Sequence, residues 1–430
     1  MTAEVGVMNR FGIALAADSA VTVNVGESTG KVYTSAEKLF LLSESAPVGA
    51  MVYGAASLAG LPWETIIKVY RRSLNHSVFQ TLEEYVDHFV EFLRSDGSMF
   101  PASAQSSFVA NIAASFYGYV RQLLGERLES AIREHDTVTD QQIAESLGDV
   151  VAKELGQIRE FELLDLLPED FPTIVEKEYG EVIRAIRDQV FGSVPASSAT
   201  REQLVQLVAE LISREGFAGN ESGVVIAGFG EDECFPRLSE LYVKGIAANR
   251  ILFKTIRKIA IGEDFGACVI PFAQREMVHA FMEGIDPDFQ SLIYDSVKAL
   301  FTGVSETIIE AVKRRDEQIG VQLESDVSEP LADLLKNLLV QWDSKRQSDY
   351  SAPIMNIVAS LPKDELAAMA ESLVNITKFK RRVSEQQETV GGPIDVVVIT
   401  KGDGFVWISR KYYFKSDLNP RFMSRYYERR

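Results

Sequence analysis

The sequence predicts an α+β fold: a β-rich core with helical layers, elaborated by a helical insertion. Three observations carry this. β-prone runs stand at both ends of the chain and again in its middle. Apolar residues at helical spacing fill the stretches between them. No fixed repeat links these stretches, which favours insertion into one core over a string of separate modules.

Residues 3–8 and 11–18 are short β-prone runs joined by the turn-like pair Asn9-Arg10, so they predict a hairpin. Val21–Val25 reads as another strand and residues 26–30 as a loop. Leu39–Leu42 and Val48–Tyr53 form a second strand pair, and Gly54-Ala55-Ala56-Ser57 leads to a helix over Trp63–Arg72. The uncharged run Ser45–Trp63 contains Pro47 and Pro62 and many small residues, short of the ~20 strongly apolar residues of a membrane span. It reads as a buried strand followed by a helix start.

From about 75 to 220 the pattern turns helical. Leu82, Tyr85, Val86, Phe89 and Leu93 share one face, as do Leu204, Leu207, Val208 and Leu211. Residues 105–135, 138–160 and 172–191 are helical between them. Strand character returns at 223–229, 238–246 and 250–262. Helices follow at 286–314, 330–346 and 363–384, with a charged, loop-like stretch at 315–329. Ile394–Thr400 and Phe405–Arg410 flank Lys401-Gly402-Asp403-Gly404, a strong hairpin signal. The expected divisions are a core segment 1–74, a helical insertion 75–221, the remaining core with helical elaboration 222–410, and a tail 411–430.

Composition narrows the chemistry. The 430 residues are 46% hydrophobic and 25% charged, as in ordinary globular chains. A formal charge of −18 argues against wrapping nucleic acid or resting on an anionic membrane. Cys234 and Cys268 have no metal-ligand spacing; they allow one disulfide, but two free, buried thiols in a reducing compartment are the favoured reading. No metal or other cofactor is expected. The N-terminus lacks a basic segment followed by an apolar run, so a cytoplasmic protein is expected.

Gly26–Lys31 has three residues between its glycines and Val32 after the lysine, so it fails as a phosphate loop. Asp264-Phe265-Gly266 lacks the other kinase motifs. The aromatic and basic tail has a stacking composition, but in so acidic a chain it reads as docking on its own surface or a neighbouring subunit.

Thr2, Asp18 and Lys38 remain. A threonine hydroxyl becomes nucleophilic when a base takes its proton. Removal of Met1 would give Thr2 an α-amine, whose ordinary pKa of about 7.7–8.0 suits that task. A nearby Lys38 ammonium would favour the neutral amine, and Asp18 would fix and balance that lysine. Backbone N–H groups at Gly54-Ala55 would receive the developing oxyanion.

With these residues in place, the chain resembles proteasome β-type subunits of the N-terminal nucleophile (Ntn) hydrolase superfamily. The matching stretches are Thr2, Gly12–Ser19 with Thr22, Ala36-Glu37-Lys38-Leu39, Gly49–Ala56 and Trp63-Glu64. Weaker matches lie at Val225–Phe229 and Gly391–Val396. Sixteen positions separate Thr2 from Asp18, as in the family. The resemblance covers roughly residues 1–72, 222–285 and 361–410.

It implies a four-layer αββα sandwich of two antiparallel sheets between helical layers. It implies Thr2 as nucleophile, Asp18 and Lys38 as its supporting pair, and Tyr53 and Gly54 where the family has two oxyanion-site glycines. Glu388 stands beside Gln387, where the family has a supporting aspartate. Thr22 falls where backbone holds extended substrate. Val21, Ala36, Met51 and Ala55 fall where the primary specificity pocket is lined, which implies an apolar residue before the scissile bond. The implied activity is a threonine amidohydrolase acting on a peptide or small amide, in a homo-oligomer. Two other readings stay open: a catalytically silent proteasome-like scaffold, and a non-peptide Ntn amidase whose pocket is roofed by the insertion.

Overall fold

The computed structural model describes residues 3–25, 28–95, 99–135, 137–216, 221–384 and 391–428. It is a mixed α+β protein with two five-stranded antiparallel sheets. The chain begins with β1 (Glu4–Asn9), β2 (Gly12–Asp18), β3 (Val21–Val25), β4 (Ser28–Tyr33), β5 (Leu39–Leu41) and β6 (Val48–Gly54). A minimal hairpin of β7 (Ser57–Leu58) and β8 (Leu61–Pro62) leads to α1 (Trp63–Ser73). Five helices follow: α2 (Leu82–Ser95), α3 (Ala102–His135), α4 (Asp140–Glu160), α5 (Phe171–Phe191) and α6 (Ser198–Ser213). Then come β9 (Ser222–Gly228), β10 (Arg237–Ala247), β11 (Arg250–Ala260) and β12 (Ala267–Ala273). Helices α7 (Glu276–Glu283), α8 (Pro287–Lys313), α9 (Glu317–Arg346), α10 (Ala352–Val358) and α11 (Lys363–Val383) precede β13 (Ile394–Thr400), β14 (Gly404–Ser409) and α12 (Pro420–Glu428).

Two compact units emerge. The first gathers the chain up to Ala36 with Ile261–Val398 and Val406–Asn419. The second gathers Glu37–Ala260, Ile399–Phe405 and the segment from Pro420.

In the second unit the strand order is β11-β10-β9-β6-β5. Alternation turns Val48, Ala50 and Val52, Val224 and Ile226, and Leu241 and Val243 to one face. There they pack with Trp63, Ile66, Ile67 and Tyr70 of α1 and with Tyr85 and Phe89 of α2. Full burial of each large side chain is worth roughly 1.5–3 kcal/mol. The insertion helices α3–α6 build their own core around Tyr117, Val151, Phe171, Leu204 and Leu207. That core includes Ala247 and Leu252 of β10 and β11, so insertion and sheet share one apolar cluster. The β10–β11 turn places Ala248 and Asn249 at φ 50° and 53° without a glycine. Tyr179 Oη accepts from Ala248 N–H at 2.9 Å and Gln105 Oε1 from Asn249 N–H at 3.0 Å, which holds the turn.

In the first unit the order is β12-β1-β2-β13-β14. Val5, Val7, Ala14, Ala16, Val396 and Val398 face Leu366, Ala370, Leu373 and Val374 of α11. Small residues on β2 give this helix room. Asn9 Nδ2 donates to Val358 O and Leu361 O, both at 2.8 Å, tying β1 to the end of α10.

Several sequence expectations change. Residues 28–30 belong to β4, which pairs with β3, instead of a loop. The β-branched and aromatic run continuing through Val32 and Tyr33 suits that pairing. Strand β12 had no sequence signal because Pro271 interrupts it; it lies at a sheet edge, where proline is tolerated. Helix α9 begins at 317, so the charged stretch 315–329 is largely a solvated helical face. Asp316 caps it by accepting from Gln318 and Ile319 N–H at 3.0 and 3.1 Å. Pro330 lies within the helix. The cysteines are not both buried: Cys234 is exposed and Cys268 half-buried. Among the described residues, no helix is long and apolar enough to cross a membrane.

Candidate functional site

Thr2, Gln387 and Glu388 lie outside the described residues. The other candidates are divided between the units: Asp18, Val21, Thr22 and Ala36 belong to the first, and Lys38, Met51, Tyr53, Gly54 and Ala55 to the second.

In the first unit, antiparallel pairing of β1 with β2 sets Glu4 opposite Ala17. The next residues therefore meet: Asp18 N–H donates to Ala3 O at 3.0 Å. The Asp18 side chain is fully buried and, among the described residues, accepts backbone N–H bonds from Ala3, Ala20 and Gly391. Ala3 donates at 3.2 Å to Oδ1, while Ala20 and Gly391 donate at 3.3 and 2.8 Å to Oδ2. Buried carboxylates are stabilised by such donors. One carboxylate thus pins the residue following Thr2, its own turn and the approach to β13.

Ser19 reinforces this corner. Its N–H donates to Gly391 O at 3.2 Å, its Oγ to Pro393 O at 2.5 Å, and its carbonyl accepts from Ala36 N–H at 3.2 Å. Gly392 sits at φ 76°, and a Cβ there would lie 2.7 Å from Thr34 Cβ and 3.2 Å from Ser19 Cβ. Gly392 is therefore required by close approach as well as by conformation, whereas a Cβ on Gly391 would meet open space. Val21 is half-buried at the start of β3, and Thr22 pairs with Val32 through the backbone. Ala36 is half-buried.

In the second unit, Lys38 immediately precedes β5 and is buried. Its carbonyl accepts from Val52 N–H at 2.9 Å, extending the β5–β6 ladder. Met51 is fully buried on β6, opposite Leu39 and Val225.

Tyr53, Gly54 and Ala55 are fixed by β9. Ala55 N–H donates to Glu221 O at 2.9 Å. Hydrogen-bonded pairs recur every second residue in an antiparallel ladder, so Tyr53 and Gly223 form the next such pair. The Tyr53 N–H therefore points toward β9, while that of Gly54 points to the opposite edge. Gly54 has φ 79°, and a Cβ there would be 2.5 Å from Glu221 O. Ser222 Oγ donates to Ala55 O at 2.9 Å and accepts from Trp63 Nε1 at 2.7 Å. Ala55 is thus held by both its N–H and its carbonyl.

The Tyr53 side chain is held across β9. Its hydroxyl donates to Glu240 on β10, and a Cβ on Gly223 would fall 1.9 Å from the Tyr53 ring. Glu240 is fully buried and paired with Arg257 Nε at 2.5 Å. Burial pushes the Tyr242 phenol well above its ordinary value, reinforced by its hydrogen bond to Glu221.

The sequence reading did not single out Ser222, Gly223, Glu240 or Lys244. A signal was present for two of them: Glu240 and Lys244 are charged residues within the mostly apolar run Leu238–Ala247, at even spacing with Tyr242. Comparison with known proteins gives no match to a protein-family model and none to a curated protein.

Proposed function

We propose that this protein is an N-terminal threonine amidohydrolase resembling proteasome β-type subunits, active once Met1 is removed. The observation that carries the reading is the Asp18 carboxylate, which holds the N–H of Ala3 and so anchors the residue next to Thr2. The two five-stranded antiparallel sheets support an Ntn-type αββα layering as part of this proposal.

In the proposed reaction, Thr2 Oγ attacks an amide carbonyl while its proton passes to the α-amine of Thr2. Lys38 favours the neutral amine before attack. The Gly54 N–H, directed away from the β9 ladder, is the donor assigned to the oxyanion. The C–N bond then breaks, the leaving amine takes the proton, and an ester to Thr2 remains. Water activated by the same amine cleaves the ester, releases the acid and restores Thr2. Met51 and Ala55 suit an apolar group before the scissile bond. The substrate is a peptide or small amide, and assembly as a homo-oligomer belongs to the same reading.

One observation favours the silent-scaffold alternative: the Tyr53 N–H is committed to β9, at the position where the family places an oxyanion glycine. The test is the mass of the mature N-terminus followed by incubation with a peptide epoxyketone. The expected result is loss of Met1 and one covalent adduct that disappears in Thr2→Ala. Retained Met1, or an adduct persisting in Thr2→Ala, overturns the mechanism. Met1 loss without an adduct supports the silent scaffold.

A further inference from the structure

The second unit contains a cavity of about 460 Å³ that plays no part in the proposed acyl transfer. One wall is the polar stripe Ser107, Asn111 and Ser115 of α3, spaced so that all three share a helical face. The opposite wall includes Glu221, Ser222 and Lys244. Its volume lies within the usual range of small-molecule pockets, ~300–1,000 Å³.

Lys244 is placed there by an irregularity in the sheet. Val243 pairs with Phe253 and Gly245 with Leu252, so Lys244 is the extra residue of a bulge in β10. A bulge re-aims the side chain it carries. Lys244 is only 7% exposed, and its ammonium donates to Leu211 O at 2.6 Å and Arg214 O at 3.0 Å. Two of its three donors are thereby used.

Its charge has no carboxylate partner. Lys244 makes no ion pair among the described residues, and Glu221, the one carboxylate among the lining residues, instead accepts from the Tyr242 hydroxyl. Buried charges are normally paired. The remaining polar side chains among the lining residues are Ser57 and the α3 hydroxyls and amide, which can donate, and Ser222, which is occupied by Trp63 and Ala55. Desolvation pulls Lys244 down to about 8, with Glu221 acting in the opposite sense.

We propose that the cavity beneath α3 is a binding site for a small carboxylate, held by the Lys244 ammonium and the polar face of α3. The bound anion supplies the charge partner that the protein omits. The site is independent of the Thr2 chemistry, and its test does not read hydrolysis.

The test is calorimetric titration of the full chain with acetate, benzoate and hippurate, each against its neutral amide. At pH 7 at least one carboxylate is expected to bind, with its amide at least about tenfold weaker. Lys244→Met is expected to erase that preference. Asn111→Trp, at an exposed helical position over the cavity, is expected to abolish binding while leaving the fold intact. Between pH 7 and 9.5 the affinity is expected to fall about tenfold or more as the lysine loses its proton. Failure of all three acids to bind, equal binding of acid and amide, or unchanged binding in Asn111→Trp overturns the proposal. If Lys244→Met does not fold, Asn111→Trp and the acid–amide comparison decide it.

Discussion

The ring of Tyr53 occupies the space that a side chain on Gly223 would fill: a Cβ added there would lie 1.9 Å from the ring. The two residues are direct partners across β6 and β9. This one contact lets the Tyr53 hydroxyl reach the buried Glu240.

Gly223→Ala should therefore expel the Tyr53 ring and separate it from Glu240. The expected cost is about 1–3 kcal/mol, as for other overpacked sites. Adding Tyr53→Ala should recover part of that loss, because the clash is removed. Urea unfolding of both single variants and the double variant measures the coupling. A strictly additive cycle would show that the ring and the glycine do not depend on each other.

Asp18→Asn should destabilise the protein by at least ~2 kcal/mol. The carboxylate accepts N–H bonds from Ala3, Ala20 and Gly391, whereas an amide offers one acceptor oxygen and turns an NH₂ group toward donors. Hydrogen exchange at Ala3 and Gly391 should accelerate together, since one side chain protects both. Acceleration at neither amide would contradict this anchoring role.

Gly54→Ala should cost about 1–3 kcal/mol through backbone strain, and more if β9 cannot move. The residue has φ 79°, and the added methyl would press on Glu221 O at 2.5 Å. Denaturant unfolding gives the cost. In the proposed enzyme the same variant should slow epoxyketone labelling, because the assigned oxyanion donor is displaced.

Lys244 should make stability rise with alkaline pH. Its pKa in the folded protein is about 8, below the ordinary lysine value of about 10.4. Below pH 8 both folded and unfolded chains carry the proton, and the burial penalty is present in full. Between these values the unfolded chain binds more protons, so folding becomes more favourable as pH rises. The total gain is on the order of 3 kcal/mol. Wild-type stability relative to Lys244→Met should thus increase between pH 7.5 and 10. An unchanged difference would mean that the lysine is not depressed by burial.

Much of the local structure is legible from residue pattern. Asn9-Arg10 marks the β1–β2 turn, Trp63–Arg72 has an amphipathic spacing, and Gly402-Asp403-Gly404 marks the last hairpin. The boundaries of α3, α4 and α5 fall close to their apolar periodicity. The start of α9 was obscured because a run of charged residues reads equally as a loop or a solvated helical face. β12 was obscured because Pro271 is acceptable only on an edge, and nothing local says which strand is an edge.

By itself, the sequence determined the α+β character, the helical character of residues 82–213 and the spacing of Thr2, Asp18 and Lys38. These follow from turn chemistry, side-chain periodicity and residue type, all of which act over a few residues. The tertiary structure decided that Asp18 meets Gly391, that Tyr53 crosses Gly223, and that the bulged Lys244 lines a cavity under α3. Those relations depend on strand register and packing between distant segments. A backbone donor, a missing Cβ or an unpaired ammonium acquires its meaning only once its neighbours are in place.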